Sequence, residues 1–120
     1  MSFPAPAFVN VRVTVTPGSQ AGQYAIACFP DPVPVTQRTV INFYMDPDSA
    51  PIDVIFTDKI IKKPDHTRQF SLPSVSTDGK MLTLSDVDTV RETVHITLHV
   101  TDKDHRKIPF DPQIVNGPTR

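Results

Sequence analysis

Two segments with strict alternation of apolar and polar residues constrain the fold more than any other feature. Residues 8–16 read FVNVRVTVT and residues 93–101 read TVHITLHVT, with an aliphatic side chain at every second position. Because successive side chains of a strand point to opposite faces, this pattern predicts strands that are buried on one face. Such strands need a second layer to cover the apolar face, so the pattern indicates a layered β protein.

The composition also disfavours helix. The 120 residues include 13 prolines, and twelve of the thirteen acidic residues are Asp, with Glu92 as the exception. Proline and aspartate are poor residues for a helix interior and favour turns. We therefore expect many short strands joined by turns.

Several further segments have the character of strands. Residues 35–45 (VTQRTVINFYM) are rich in β-branched and aromatic residues, which predicts a central strand covered on both faces. Asp78-Gly79 predicts a hairpin turn with antiparallel flanks. Residues 59–68 (KIIKKPDHTR) are interpreted as a polar connection. Pro109 and Pro112 confine a last strand at residues 108–115 to a sheet edge or to irregular pairing. The prediction is an all-β fold, a single β-sandwich domain over residues 1–120 with about eight short antiparallel strands in Greek-key order.

Charge and cysteine content exclude several function classes. The formal net charge of -1 gives no electrostatic basis for binding nucleic acid or a membrane surface. The single cysteine, Cys28, allows no internal disulfide and is interpreted as a small apolar strand residue. Residues 1–10 lack the pattern of a secretory signal, and no apolar run approaches about 20 residues, so a cytoplasmic location is expected.

The sequence shows no pattern typical of a metal site or of a nucleophilic enzyme. His95 and His99 share one strand face, but four residues at about 3.3 Å each separate them by about 13 Å, too far to share an ion. No serine has the flanking glycines of a nucleophile elbow, and only four glycines are present. We predict no metal and no cofactor.

Aspartate followed by proline occurs three times, at Asp31, Asp46 and Asp111. The Asp carboxylate can attack its own main-chain carbonyl to form a five-membered anhydride, and the proline nitrogen leaves more easily than an ordinary amide. A second acid in the fold could promote this reaction near neutral pH. Asp53, which interrupts the apolar segment PIDVIF, is the candidate, with Asp102 and Asp104 as alternatives. Most Asp-Pro pairs only begin a turn. Chemistry alone therefore leaves open whether Asp111-Pro112 is an ordinary turn or a bond that the protein cleaves.

The strand VTQRTVINFYM, the hairpin STDGKMLTL and above all the ending FDPQIVN resemble the DP-EP family of small bacterial proteins. The resemblance implies a self-cleaving, self-assembling β-sandwich that acts as an aspartic-type endopeptidase on itself, once. Cleavage would fall between Asp111 and Pro112, and residues 112–120 would be cut from the rest of the chain as a short tail that remains held in the sandwich.

The resemblance also implies that the new Asp terminus can link to a lysine. Thr93 stands where the family has this lysine, which leaves Lys103 and Lys107 as substitutes. The expected partners are the chain's own tail and further copies of the chain. The alternative is a non-catalytic structural or interaction β-sandwich that forms homo-oligomers.

Overall fold

The computed structural model describes residues 5–51, 53–64 and 66–117, and this part of the chain forms two packed β-sheets. The all-β sandwich predicted from the alternation is confirmed. Its strands are β1 (Ala7–Pro17), β2 (Tyr24–Phe29), β3 (Val33–Val35), β4 (Thr39–Met45), β5 (Ile55–Lys63), β6 (Ser74–Val75), β7 (Met81–Asp86), β8 (Glu92–Thr101), β9 (Lys107–Phe110) and β10 (Gln113–Asn116).

The first sheet has the strand order β2-β1-β4-β7-β6. The turn after Pro17 returns the chain antiparallel, so that β1 pairs with β2. β4 lies in the middle of this sheet, as its apolar sequence predicted, and pairs with β1 in parallel. The hairpin at Asp78-Gly79 is also confirmed, because β6 and β7 pair antiparallel on either side of it.

The second sheet has the order β3-β10-β8-β5, and β9 pairs with β8 beside β10. β8 is the longest strand of this sheet and pairs with three others, because its ten residues extend past the end of β10. Its side chains alternate as predicted, with aliphatic residues inside and Thr or His outside.

The core lies between the two sheets and consists of the inward-facing side chains of nearly every strand. Its fully buried members include Val11 and Val13 of β1, Phe43 of β4, and Ile96 and Leu98 of β8. Full burial of one such side chain contributes about 1.5–3 kcal/mol to folding. Alternation in the sequence therefore identified the residues that hold the sheets together.

The structure corrects four details of the prediction. The described residues form ten strands rather than eight, and two of the pairings, β1 with β4 and β3 with β10, are parallel. The segment Lys59–Lys63, interpreted as part of a connection, belongs to strand β5. Of the two arrangements predicted for the C-terminal segment, the edge position is wrong, because β10 lies between β3 and β8, whereas irregular pairing is found, since β9 and β10 pair with β8 as separate strands.

No helix within the described residues is long and apolar enough to span a membrane.

Candidate functional site

The Asp111-Pro112 peptide lies where one continuous pairing with β8 is interrupted. Leu98 pairs with Phe110, and His95 pairs with Gln113, so the same register runs through β9 and β10. Two residues on each strand lie between these pairs. Thr97 is therefore opposite Asp111, and Ile96 is opposite Pro112.

The proline explains the interruption. Ile96 donates its N–H to the carbonyl oxygen of Pro112 at 3.0 Å. In an antiparallel pair of this type the opposite residue returns a hydrogen bond, but proline has no N–H to donate. The return bond to Ile96 cannot form, and the strand divides into β9 and β10 at this point.

Thr97 and Asp111 face each other across the strands. They form the kind of antiparallel pair that exchanges no main-chain hydrogen bonds, in which the Cα atoms lie only about 4.5 Å apart. The Thr97 hydroxyl donates to Asp111 Oδ1 at 2.6 Å. Asp111 is exposed on the outer face of the sheet, whereas Pro112 is buried. The scissile bond predicted from the sequence thus lies at the boundary between solvent and core.

A second carboxylate reaches this bond from the loop between β2 and β3. Asp31 accepts a hydrogen bond at Oδ1 from the main-chain N–H of Gln113, at 3.1 Å. Since consecutive residues extend the chain by about 3.5 Å, Asp31 Oδ1 lies no more than about 7 Å from the nitrogen of Pro112. Asp31 is therefore bonded to the residue that follows the nitrogen which must accept a proton when the bond breaks.

Sequence reasoning named Asp31 as the start of an Asp-Pro pair but did not identify it as the second acid. Asp31 lies 82 residues from Gln113 in the chain. The one available signal was that Asp31 precedes proline itself. Such a contact follows from the position of β3 beside β10, which no spacing in the sequence reveals.

Asp53, the predicted second acid, lies elsewhere. It is exposed in a turn two residues before β5, so it neither interrupts a strand nor has the burial that was expected for it. Ile55 pairs with Thr101, whereas Asp111 is opposite Thr97, four residues or about 13 Å along β8. The structure does not bring Asp53 to Asp111.

Asp102 and Asp104 lie at that same far end, in the turn between β8 and β9. Asp102 is buried and accepts hydrogen bonds from the Tyr24 hydroxyl at 3.1 Å and from the Arg106 guanidinium at 3.0 Å. Burial alone would raise the pKa of Asp102, but hydrogen bonds from the N–H groups and guanidinium of Arg106 and from Tyr24 hold it at about 2. These residues form a structural network that closes the turn.

The predicted lysines and Thr93 are also distant from Asp111. Lys103 is exposed in the turn that contains Asp102, and Lys107 begins β9 opposite Thr101, four residues from Asp111. Thr93 is exposed on β8 opposite Val115, four residues from Thr97. At about 3.3 Å per residue, Thr93 and Lys107 each lie about 13 Å along the sheet from Asp111, and Lys103 lies past the end of β8.

Two lysines that the sequence did not single out lie on β5, across β8 from Asp111. Lys63 pairs with the outward-facing His95, and the carbonyl oxygen of Lys59 lies 3.2 Å from His99 Nδ1. β5 and β9 are two strand spacings apart, about 10 Å. Lys59 and Lys63 were missed because their segment was interpreted as a connection.

The segment after the Asp111-Pro112 bond is anchored on both sides. β10 pairs antiparallel with β8 and parallel with β3, and its Ile114 and Asn116 are fully buried. Gly117 donates its N–H to the carbonyl of Val35 at 2.8 Å. Residues 118–120 of the predicted tail lie outside the described residues. All of these pairings join β10 to β3 and β8 rather than to β9.

The sequence model of the DP-EP family matches residues 7–118, which is nearly the whole chain. No curated protein matches the sequence. The match includes the Asp111-Pro112 pair and every strand from β1 to β10. With this coverage, the chain belongs to the DP-EP family.

Proposed function

We propose that the protein hydrolyses its own Asp111-Pro112 bond once and that the segment after the cut stays in the sandwich through β10. The Asp111 carboxylate attacks the main-chain carbonyl carbon of the same residue and closes a five-membered ring. The carbon–nitrogen bond to Pro112 breaks as that nitrogen accepts a proton. Water then opens the cyclic anhydride, which leaves two carboxyl groups on a C-terminal Asp111.

The observation that carries this proposal is the 2.6 Å hydrogen bond from Thr97 to Asp111 Oδ1, directly opposite the interruption of the strand. Holding Oδ1 limits rotation of the carboxylate and leaves Oδ2 as the attacking oxygen. A reacting group that is already held in a suitable orientation loses less entropy when it reaches the transition state. Thr97 is therefore a positioning residue.

Asp31 is the acid that we assign to the leaving nitrogen. The cleavage step requires a proton on Pro112, and Asp31 bonds to the N–H of the next residue, Gln113. A carboxylic acid there can give its proton to the departing nitrogen and recover it from solvent. Asp31 is exposed, which permits that exchange.

The test is intact mass spectrometry of the purified chain during several days at neutral pH. We expect the mass to fall by that of the nine residues 112–120, and Asp111→Ala to abolish the change. The Asp46-Pro47 bond is a matched control within the same chain, because it has the same intrinsic chemistry in an exposed turn. A full-length mass that stays constant would refute the proposal. Equal cleavage after Asp46 would show that the fold does not promote the reaction and that both bonds break only through the intrinsic lability of Asp-Pro.

Three variants test the assigned roles. Thr97→Val removes a hydrogen bond to a charged group, a contribution of about 1.5–3 kcal/mol, so we expect cleavage to slow about tenfold or more. Thr97→Ser retains the hydroxyl and should restore most of the rate. Asp31→Asn should slow cleavage and shift its pH dependence, whereas a purely structural role for Asp31 would leave the pH profile unchanged.

A non-catalytic sandwich that forms homo-oligomers is the second candidate. Phe8 and Phe29 lie on the first sheet and are 66% and 69% exposed, which is high for large apolar side chains. Sedimentation velocity over a range of concentrations tests this candidate. A concentration-dependent oligomer that Phe29→Ser weakens would favour it, and a monomer at all concentrations would refute it.

A further inference from the structure

Three polar side chains lie buried together at the end of the sandwich where β7 leads into β8. Asp86 ends β7, Asp88 lies in the following loop, and Asn116 ends β10. They are 0%, 5% and 1% exposed. Four of their oxygens are buried without a hydrogen-bond partner: Asp86 Oδ2, Asp88 Oδ1, Asp88 Oδ2 and Asn116 Oδ1.

Hydrogen bonds hold the Asp86 and Asn116 side chains together and bring the main chain of Asp88 beside them. Asp86 Oδ1 accepts from the main-chain N–H of Asp88 and from the Asn116 amide nitrogen, each at 3.0 Å. Asp88 has a φ of +53°, a conformation that Asp and Asn adopt more readily than most residues. The chain therefore adopts an uncommon conformation next to carboxylate oxygens that have no donor.

Burying a hydrogen-bond acceptor without a donor costs free energy, and a neighbouring buried side chain that contacts the loop between β7 and β8 has donors for its oxygen. Gln69 is equally buried, but its Oε1 accepts from the N–H groups of Thr89 and Val90, and its Nε2 donates to the carbonyl of Thr67. Removing carboxylates from water without partners disfavours their charged form. Burial accordingly raises the pKa of Asp86 to about 6 and raises that of Asp88 as well.

We propose that Asp86, Asp88 and Asn116 bind a divalent cation, and that Ca²⁺ is the cation that fits best. All the unpaired atoms are carboxylate or amide oxygens, the ligands of hard cations. Ca²⁺ tolerates irregular geometry and accepts both oxygens of one carboxylate, whereas Mg²⁺ requires a near-ideal octahedron. No group of three or more His, Cys, Asp or Glu among residues 5–51, 53–64 and 66–117 is arranged for a metal. Two carboxylates and one amide supply fewer than the roughly six to eight oxygens that Ca²⁺ takes, so water would complete the coordination.

The surroundings of the cluster provide both access and charge. Asn116 lines a surface cleft of about 440 Å³, together with Arg91, Glu92 and Gly117. Glu92 adds negative charge near Asp86, and Arg91 is the positive group that acts on Asp88. Arg91 is exposed on the surface, while the unpaired oxygens lie inside. The cleft brings solvent ions to Asn116, the member of the cluster that lines it.

Isothermal titration tests the proposal on the full-length chain after treatment with EDTA, with CaCl₂ and MgCl₂ as separate titrants. We expect one Ca²⁺ per chain and weaker binding of Mg²⁺. At a free Ca²⁺ concentration of 100 times Kd, the midpoint of thermal unfolding should rise by roughly 10 °C. Absence of both heat and thermal shift at millimolar Ca²⁺ would overturn the proposal.

Asp88→Asn is the decisive variant, because it keeps the side-chain shape and suits the positive φ but removes a charge from the site. We expect this variant to fold and its Kd for Ca²⁺ to rise at least tenfold. Asp58→Asn, an exposed position on β5, is the matched control and should bind like the wild type. Retention of full affinity by Asp88→Asn would refute the assignment. Repeating the titration with Asp111→Ala separates this result from self-cleavage, on which the cation site does not depend.

Discussion

Two buried aspartates show how their immediate surroundings set their acidity in opposite directions. Burial raises the pKa of Asp86 to about 6, because its hydrogen bonds from Asp88 and Asn116 offset only part of the desolvation. For Asp102, burial also raises the pKa, but donors from Arg106, Tyr24 and Asp104 outweigh it and hold the pKa at about 2. The number of donors that reach the carboxylate decides the sign of the shift.

The pKa of Asp102 leads to a prediction for acid stability. Its folded pKa of about 2 lies below the ordinary value of 3.8, so the unfolded state binds the proton more readily. Asp102 therefore stabilises the fold above about pH 4, and this contribution is lost as the pH falls through about 2. We expect Asp102→Asn to be less stable than the wild type at pH 6 and nearly equal to it at pH 2, measured by urea unfolding. A constant difference across this range would contradict the role of the charge.

Among the strands and turns, those fixed by neighbouring residues were predictable. β1 and β8 follow from alternation, and the β6–β7 hairpin follows from Asp78-Gly79. β5 escaped prediction because the register shifts between Phe56 and Ile60, which breaks the alternation along IFTDKIIKK. A β-bulge moves side chains to the other face, so no single period describes the strand.

Gly79 allows the hairpin to pack against β5. Its φ is +74°, and an added Cβ would lie 2.5 Å from the Cβ of Ile55. We expect Gly79→Ala to destabilise the protein by about 1–3 kcal/mol, because it combines backbone strain with a steric clash. Chemical denaturation measures this change. Gly117→Ala is the control, since its Cβ would have only ordinary contacts and we expect a change below about 1 kcal/mol.

Across the whole molecule, the candidate site depends on contacts between distant parts of the chain. The bond to examine, Asp111-Pro112, was identifiable from the sequence because its chemistry is local. Its partner Asp31 and the interior position of β10 were not, because both depend on β3 crossing to the second sheet. Local patterns specify strands and turns, whereas the neighbours of a strand are decided by packing of the complete chain.

The interior position of β10 makes the C-terminal segment a large contributor to stability. Ile114 is fully buried, so Ile114→Ala should cost about 2–5 kcal/mol. Val115, partly exposed on the same strand, is the control, and Val115→Ala should cost less than about 1 kcal/mol. Urea unfolding on the Asp111→Ala background keeps the chain intact during the measurement. Equal effects of the two variants would show that β10 is not part of the cooperative unit.

The missing hydrogen bond at Pro112 gives the proposed cleavage a direction. In the intact chain the proline nitrogen is a tertiary amide and offers nothing to the carbonyl of Ile96. After cleavage the same nitrogen becomes a charged secondary amine with two hydrogens, opposite that carbonyl. The cut would break no main-chain hydrogen bond of the sheet and would supply the donor that β8 lacks. The cleaved protein would then be the more completely paired form, and the intact chain its precursor.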